Sequence, residues 1–255
     1  MGKLIAVSGC SNADRTGDVV FVHGLDGNAY TTWHRQGEPD HFWPAWLGED
    51  LPEVGIWSLE YEASSMIWRG QTMPLADRAT NILALLEVYD IGRLPLVFIT
   101  HSLGGLLVKQ MLRHAADFGV VEWQLIAAQT RGIVFLSTPH SGSNIACWLK
   151  YVGIVLRSSV TIDELEAHEP RLRELNLWYR NNVQVLGVRT QAYCEKRKVY
   201  GILVVDETSA DPGIPGVTPV PLDDDHLTIC KPESKQSLVY ARVKKFVWAC
   251  VGVMR

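Results

Sequence analysis

The chain has 255 residues, 47% of them hydrophobic and 20% charged, with a formal net charge of −4. This is enough for a large buried core in one α/β domain over residues 1–255, and the charge leaves no basic footprint for a nucleic acid. No apolar run approaches the ~18 residues of a membrane-spanning helix, and the five cysteines lack any C-x-x-C pair, which reads as free thiols in a reducing, cytoplasmic setting without a zinc site.

Lys3 to Ser8 reads as a first strand. Val7-Ser8-Gly9-Cys10 resembles a lipoprotein cleavage box, but the apolar segment before it, Leu4 to Val7, is far shorter than the ~7–15 residues of a signal sequence. Asp18 to His23 (DVVFVH) is a second strand running into the loop Gly24-Leu25-Asp26-Gly27-Asn28. The aromatic stretch Tyr30 to Trp46 lacks clean periodicity and is expected to be a loop with a short helix. Its rings either line an acyl pocket or close the core over the sheet. Ile56 to Tyr61 alternates as a strand, and Leu75 to Tyr89 carries apolar residues at helical spacing, as a crossover helix would.

Leu96 to Ile99 is a short buried strand that ends at Thr100-His101-Ser102-Leu103-Gly104, after which Leu106, Leu107, Met111 and Leu112 recur on one helical face. A strand, a sharp turn with serine at its tip and a helix make a nucleophile elbow, which projects the hydroxyl from the sheet edge beside a helix N-terminus. Thr100 stands where the usual G-x-S-x-G pattern has its first glycine. An oxyanion needs two backbone N–H groups converging on one point. Those of Leu103 and of Leu25, in the glycine-bearing loop after the second strand, are the candidates. His23, at the root of that loop and before the serine, suits bracing better than base chemistry.

Gly132 to Ser137 (GIVFLS) is a further buried strand leading to Thr138-Pro139-His140-Ser141-Gly142-Ser143. Ile145 to Ser158, apolar nearly all round, and Ile162 to Tyr179, amphipathic, form a helical insertion over about residues 144–182 where a lid would lie. The first helix either packs under the second or meets lipid. Val183 to Glu195 reads as the penultimate strand, Val217 to Leu222 as a short extended one, and Ser237 to Val251 as a closing amphipathic helix. Strands alternating with helices imply a mostly parallel sheet with its functional edge at the strands' C-terminal ends.

A serine hydroxyl becomes a nucleophile when a neutral imidazole takes its proton and a carboxylate orients that imidazole. In the chain order serine, acid, histidine, His226 stands in the last loop as the base. Glu195, at the end of the penultimate strand, and Asp206 compete for the acid, with Glu195 favoured by its place; Asp223 to Asp225 read as a solvated loop.

DVVFVHGLDG, TW with FWPAWL, VFITHSLGGLLVKQ, GIVFLSTPHSGS and SADPG with DDDHLTICKP resemble, in order, the serine-active-site-containing protein family, a lipase-like branch of the α/β-hydrolases. The resemblance runs from about Asp18 to Tyr240. It implies an α/β-hydrolase fold with a central, mostly parallel sheet, Ser102 as nucleophile, His226 as base and a strand-end glutamate at Glu195. It also implies an ester or lipid substrate. No metal or organic cofactor is expected, since the sequence shows neither a ligand cluster nor a phosphate-cradling loop. A thioesterase, amidase or lipid acyltransferase would share these residues. A scaffold with a weak site is the rival for which Thr100 is the one hint. The sequence leaves the oligomeric state open.

Overall fold

The computed structural model describes residues 2–63, 73–140 and 169–252. Along the chain these form β1 (Lys3–Ser8), β2 (Gly17–Val22), α1 (Trp43–Asp50), β3 (Val54–Glu60), α2 (Leu75–Val88), β4 (Leu96–His101), α3 (Leu103–Asp117) and α4 (Val121–Gln129). After them come β5 (Thr130–Leu136), α5 (Glu169–Asn182), β6 (Arg189–Glu195), the one-turn α6 (Glu207–Ala210), β7 (Val220–Leu222) and α7 (Leu238–Val251). Among the described residues the strands make one sheet in the order β1-β3-β2-β4-β5-β6-β7. Every pairing is parallel except β1 with β3, which is antiparallel. The parallel strands therefore end on one common edge.

Period-two alternation assigns the core to two layers. Val20, Val22, Leu96, Phe98, Ile133 and Phe135 point to one face, where Ile82, Leu83 and Leu86 of α2 and Leu107, Val108 and Met111 of α3 cover them. Val19, Phe21, Val97, Ile99, Val134 and Leu136 point to the other, under Trp43 and Leu47 of α1 and Val243, Phe246 and Val247 of α7. The aromatic stretch after β2 belongs to this second layer. Trp33 and Trp43 are wholly buried and meet Phe21 edge-to-face at 5.0 and 4.7 Å, so both rings close the core. Among the described residues no helix is long and apolar enough to cross a membrane.

Three elements depart from expectation. The nine-residue α4 lies in a stretch where the sequence suggests no element; its Val121 and Leu125 are exposed while Ile126 and Ala127 are buried, so one apolar face never stands out. The strand expected from Val183 begins only at Arg189. Backbone bonds from Val183 N–H to the Tyr179 carbonyl and from Leu186 N–H to that of Asn182 prolong the end of α5, and Gly187 then turns the chain at φ +69°. The strand expected from Val217 is confined to Val220–Leu222, an edge strand, where Pro221 costs no ladder bond toward a further neighbour. The helix expected over Ile145 to Ser158 lies outside the described residues, as does the first part of that expected over Ile162 to Tyr179.

Candidate active site

Ser102 sits between the last residue of β4 and the first of α3 at φ 50°, ψ −123°, a conformation that L-residues rarely adopt. Backbone packing enforces this turn. A Cβ on Gly104 would lie 2.3 Å from the Val22 carbonyl oxygen and 2.5 Å from that of His23, so the helix can start this close to β2 only with glycine there. The loop after β2 is pressed equally near, since a Cβ on Gly24 would come within 2.8 Å of the Ser102 Cβ. Thr100, wholly buried, donates its hydroxyl to the Val134 carbonyl at 2.9 Å. The threonine is thus accommodated by a bond to β5, and the elbow forms without the usual glycine.

The Ser102 Oγ lies 3.0 Å from His226 Nε2, and His226 Nδ1 faces Glu195 Oε2 at 3.3 Å. All three side chains are buried, Glu195 completely. The other oxygen of Glu195, Oε1, accepts the Val205 N–H at 2.6 Å. The loop carrying His226 is fastened to the end of β6 by bonds from the N–H groups of Lys196 and Arg197 to the Asp224 carbonyl, at 3.1 and 2.9 Å. Asp225 shapes that loop as an Asx turn, its Oδ1 accepting the N–H of Leu227 and Thr228, both at 2.9 Å. Asp206 caps α6, its Oδ1 accepting the Ser209 N–H at 2.9 Å, and the carboxylate beside the imidazole is that of Glu195. Asp223 pairs with Arg197 on the surface. A serine hydroxyl, an imidazole and a buried carboxylate in this line can pass a proton from oxygen to nitrogen while the carboxylate holds the resulting imidazolium.

His101 Nε2–H donates to the His226 carbonyl at 2.8 Å. Burial, with His226 close by, holds His101 well below the ordinary histidine value, so it is a neutral strut. His23 stacks on Tyr61 at 4.3 Å between ring centroids, and its Nδ1 meets the Gly24 carbonyl at 2.9 Å, bracing the loop that carries Leu25. Burial likewise lowers His23. Cys194, next to Glu195, is no nucleophile, since burial pushes its thiol up to about 11.

No family model matches this chain. It is 34% identical over 254 residues to the protein SERAC1 of Homo sapiens and 34% identical over 264 residues to that of Danio rerio. These matches take in 90% and 93% of this chain but 38% and 40% of the relatives, so the chain spans about two fifths of their length. Among solved structures it resembles a carboxylesterase of the thaumarchaeon Nitrososphaera gargenis, with a TM-score of 0.59, 14% identity and coverage of 98% of this chain and 94% of that one. Est1E of Butyrivibrio proteoclasticus, described with ferulic acid bound, gives 0.58 at 15% identity, over 99% and 96% of the two chains. A lipase-esterase related protein from Clostridium acetobutylicum gives 0.53 at 12% identity, over 98% and 100%.

The fold is that of the α/β-hydrolases.

The α/β-hydrolase sheet brings together residues from loops far apart in sequence, and it adds some that the sequence reading passed over. His101, Ser137 and the Val205 backbone all touch the histidine or the glutamate. His101 and Ser137 share one readable sign, a polar residue at the C-terminal end of a mostly apolar strand, where the chain meets the functional edge. Val205 has no such sign, because only its backbone takes part.

Proposed function

We propose that the chain is a serine carboxylic-ester hydrolase of the serine-active-site-containing family, working through an acyl-enzyme on an ester or lipid substrate. The observation that carries the reading is the continuous line from Ser102 Oγ to His226 Nε2 at 3.0 Å and from His226 Nδ1 to Glu195 at 3.3 Å, buried at a strained elbow. His226 takes the Ser102 proton as the oxygen attacks the acyl carbon. The N–H groups of Leu103, at the start of α3, and of Leu25, in the loop pressed against Ser102, receive the oxyanion. The tetrahedral adduct collapses as His226 gives its proton to the departing alcohol. Water, deprotonated by the same imidazole, then attacks the acyl-enzyme and releases the acid and free Ser102. Glu195 holds the imidazole's tautomer and balances its transient charge. Similarity to the SERAC1 proteins over most of this chain and the esterase neighbours of the fold support the same reading.

The test is turnover of p-nitrophenyl esters of increasing acyl length, with a thioester of the best acyl group alongside, by wild type and Ser102→Ala. Ester hydrolysis lost in the variant is the expected result. A preference for long chains would place the substrate among lipids, and short chains among soluble esters. Turnover that survives in Ser102→Ala would refute the assignment.

A further inference from the structure

The residue that follows β5 has a backbone at odds with its chemistry. Ser137 is wholly buried at φ 46°, a left-handed conformation that glycine adopts without penalty and serine does not. Its N–H extends the ladder to the Tyr193 carbonyl at 3.0 Å, and the twist that follows aims the hydroxyl at Glu195. Ser137 donates to Oε2, the same oxygen that faces His226 Nδ1, whereas Oε1 is held by the Val205 N–H. A serine kept where glycine would relax points to a use for the hydroxyl.

We propose that Ser137 is a positioning residue for the base: its hydroxyl shares Oε2 of Glu195 with His226, fixes the carboxylate's rotation and draws charge from the imidazole. This rests on the reading of Ser102, His226 and Glu195 given above. A carboxylate oxygen that already accepts a hydrogen bond is a weaker partner for an imidazolium. Ser137 therefore weakens the pull of Glu195 on the imidazole proton. The other ionisable groups that interact with this pair are His101, from the elbow, and Cys194, beside Glu195, with His23 and Lys231 acting on His101 from beyond. None of them changes in a Ser137 variant.

The experiment compares Ser137→Ala and Ser137→Gly with wild type. Both lose the hydroxyl, but only glycine relieves the backbone. Thermal melting is expected to rank glycine above alanine, while kcat falls by about tenfold in both with KM within about twofold, the size expected for one hydrogen bond to a charged group. The acid limb of kcat/KM is expected to move up by about half a pH unit in both, because imidazolium is now favoured. An NMR titration of the His226 ring should show the same upward move without any turnover. Activity that tracks melting, with an unmoved limb and an unmoved titration, would overturn the proposal and leave Ser137 a structural residue. Wild type that neither turns over esters nor reacts with a serine-directed phosphonate would instead refute the hydrolase reading, with the His226 titration still deciding the role of Ser137.

Discussion

Two buried polar clusters lie along α3, and they treat charge in opposite ways. At its N-terminus Ser102, His226 and Glu195 form a line that ends in a carboxylate braced by Ser137 and the Val205 N–H. Seven residues on, Lys109 is wholly buried, with its Nζ 2.6 Å from His140 Nδ1 and 2.7 Å from Asn176 Oδ1, and 4.8 and 5.3 Å from the ring centroids of Tyr179 and Phe135. No carboxylate is among these partners, and His140 Nε2 has no hydrogen-bond partner among the described residues. Burial pushes both Lys109 and His140 well below their ordinary values. The first cluster can hold a transient imidazolium because an anion is in place beside it. The second is a hydrogen-bonded network that ties α3, the loop after β5 and α5 together. Similar side chains in similar burial thus differ by one carboxylate, and the carboxylate marks where proton transfer can occur.

The comparison is broken most severely by taking the charge from the first cluster. Glu195→Gln is expected to lower kcat by about 10³–10⁴-fold in a protein that still folds, since the imidazole loses its orienting anion. A loss below tenfold, with circular dichroism unchanged, would assign the orienting role elsewhere.

Emptying the second cluster should instead cost stability. Lys109→Ala removes a buried stem and leaves Asn176 and His140 without their partner, for a loss of about 2–4 kcal/mol in urea unfolding. The folded fraction is expected to keep its kcat within about tenfold. A stable but inactive variant would mean that Lys109 belongs to the chemistry.

The pH dependence of stability sharpens the same contrast. Burial lowers the Lys109 value on folding, so over that range the unfolded chain binds more protons and stability rises with pH up to the ordinary lysine value of about 10.4. The slope from this one group is at most about 1.4 kcal/mol per pH unit. Lys109→Met should flatten the rise. His140, also lowered, adds a loss of stability as the pH falls below the ordinary histidine value of about 6.5. Equal slopes for wild type and Lys109→Met over the alkaline range would show that the lysine is charged in the folded state.

The smallest effect is expected at Thr100. Thr100→Gly loses the hydroxyl bond to Val134 and gains backbone entropy in the unfolded chain, together about 1–2 kcal/mol, with kcat within about threefold. A large gain in activity would mean that threonine strains the elbow.

Much of this was legible in the residues themselves. Apolar strands bounded by turn residues are set by local pattern, and β1, β4 and α7 lie within a residue or two of where that pattern puts them. Ser102, Glu195 and His226 were readable as neighbours because the chain order of the strands' ends fixes which loops meet at the edge. What stayed hidden depends on contacts distant in sequence. Only the β4–β5 pairing gives Thr100 its carbonyl, and only the β5–β6 pairing brings Ser137 to Glu195. That Asp206 caps a helix was hidden too, because α6 is a single turn, too short to leave a periodic signal. The Lys109 cluster escaped for a similar reason, since a lysine at a helical position reads as solvated until its neighbours on α5 and the β5 loop are known.

The most direct test is reaction of the folded protein with a fluorophosphonate, followed by peptide mass spectrometry, in wild type, Ser102→Ala and His226→Ala. The account predicts one phosphonyl adduct, on Ser102, absent from the first variant and strongly slowed in the second. An adduct on another residue, or none on well-folded wild type, would contradict it.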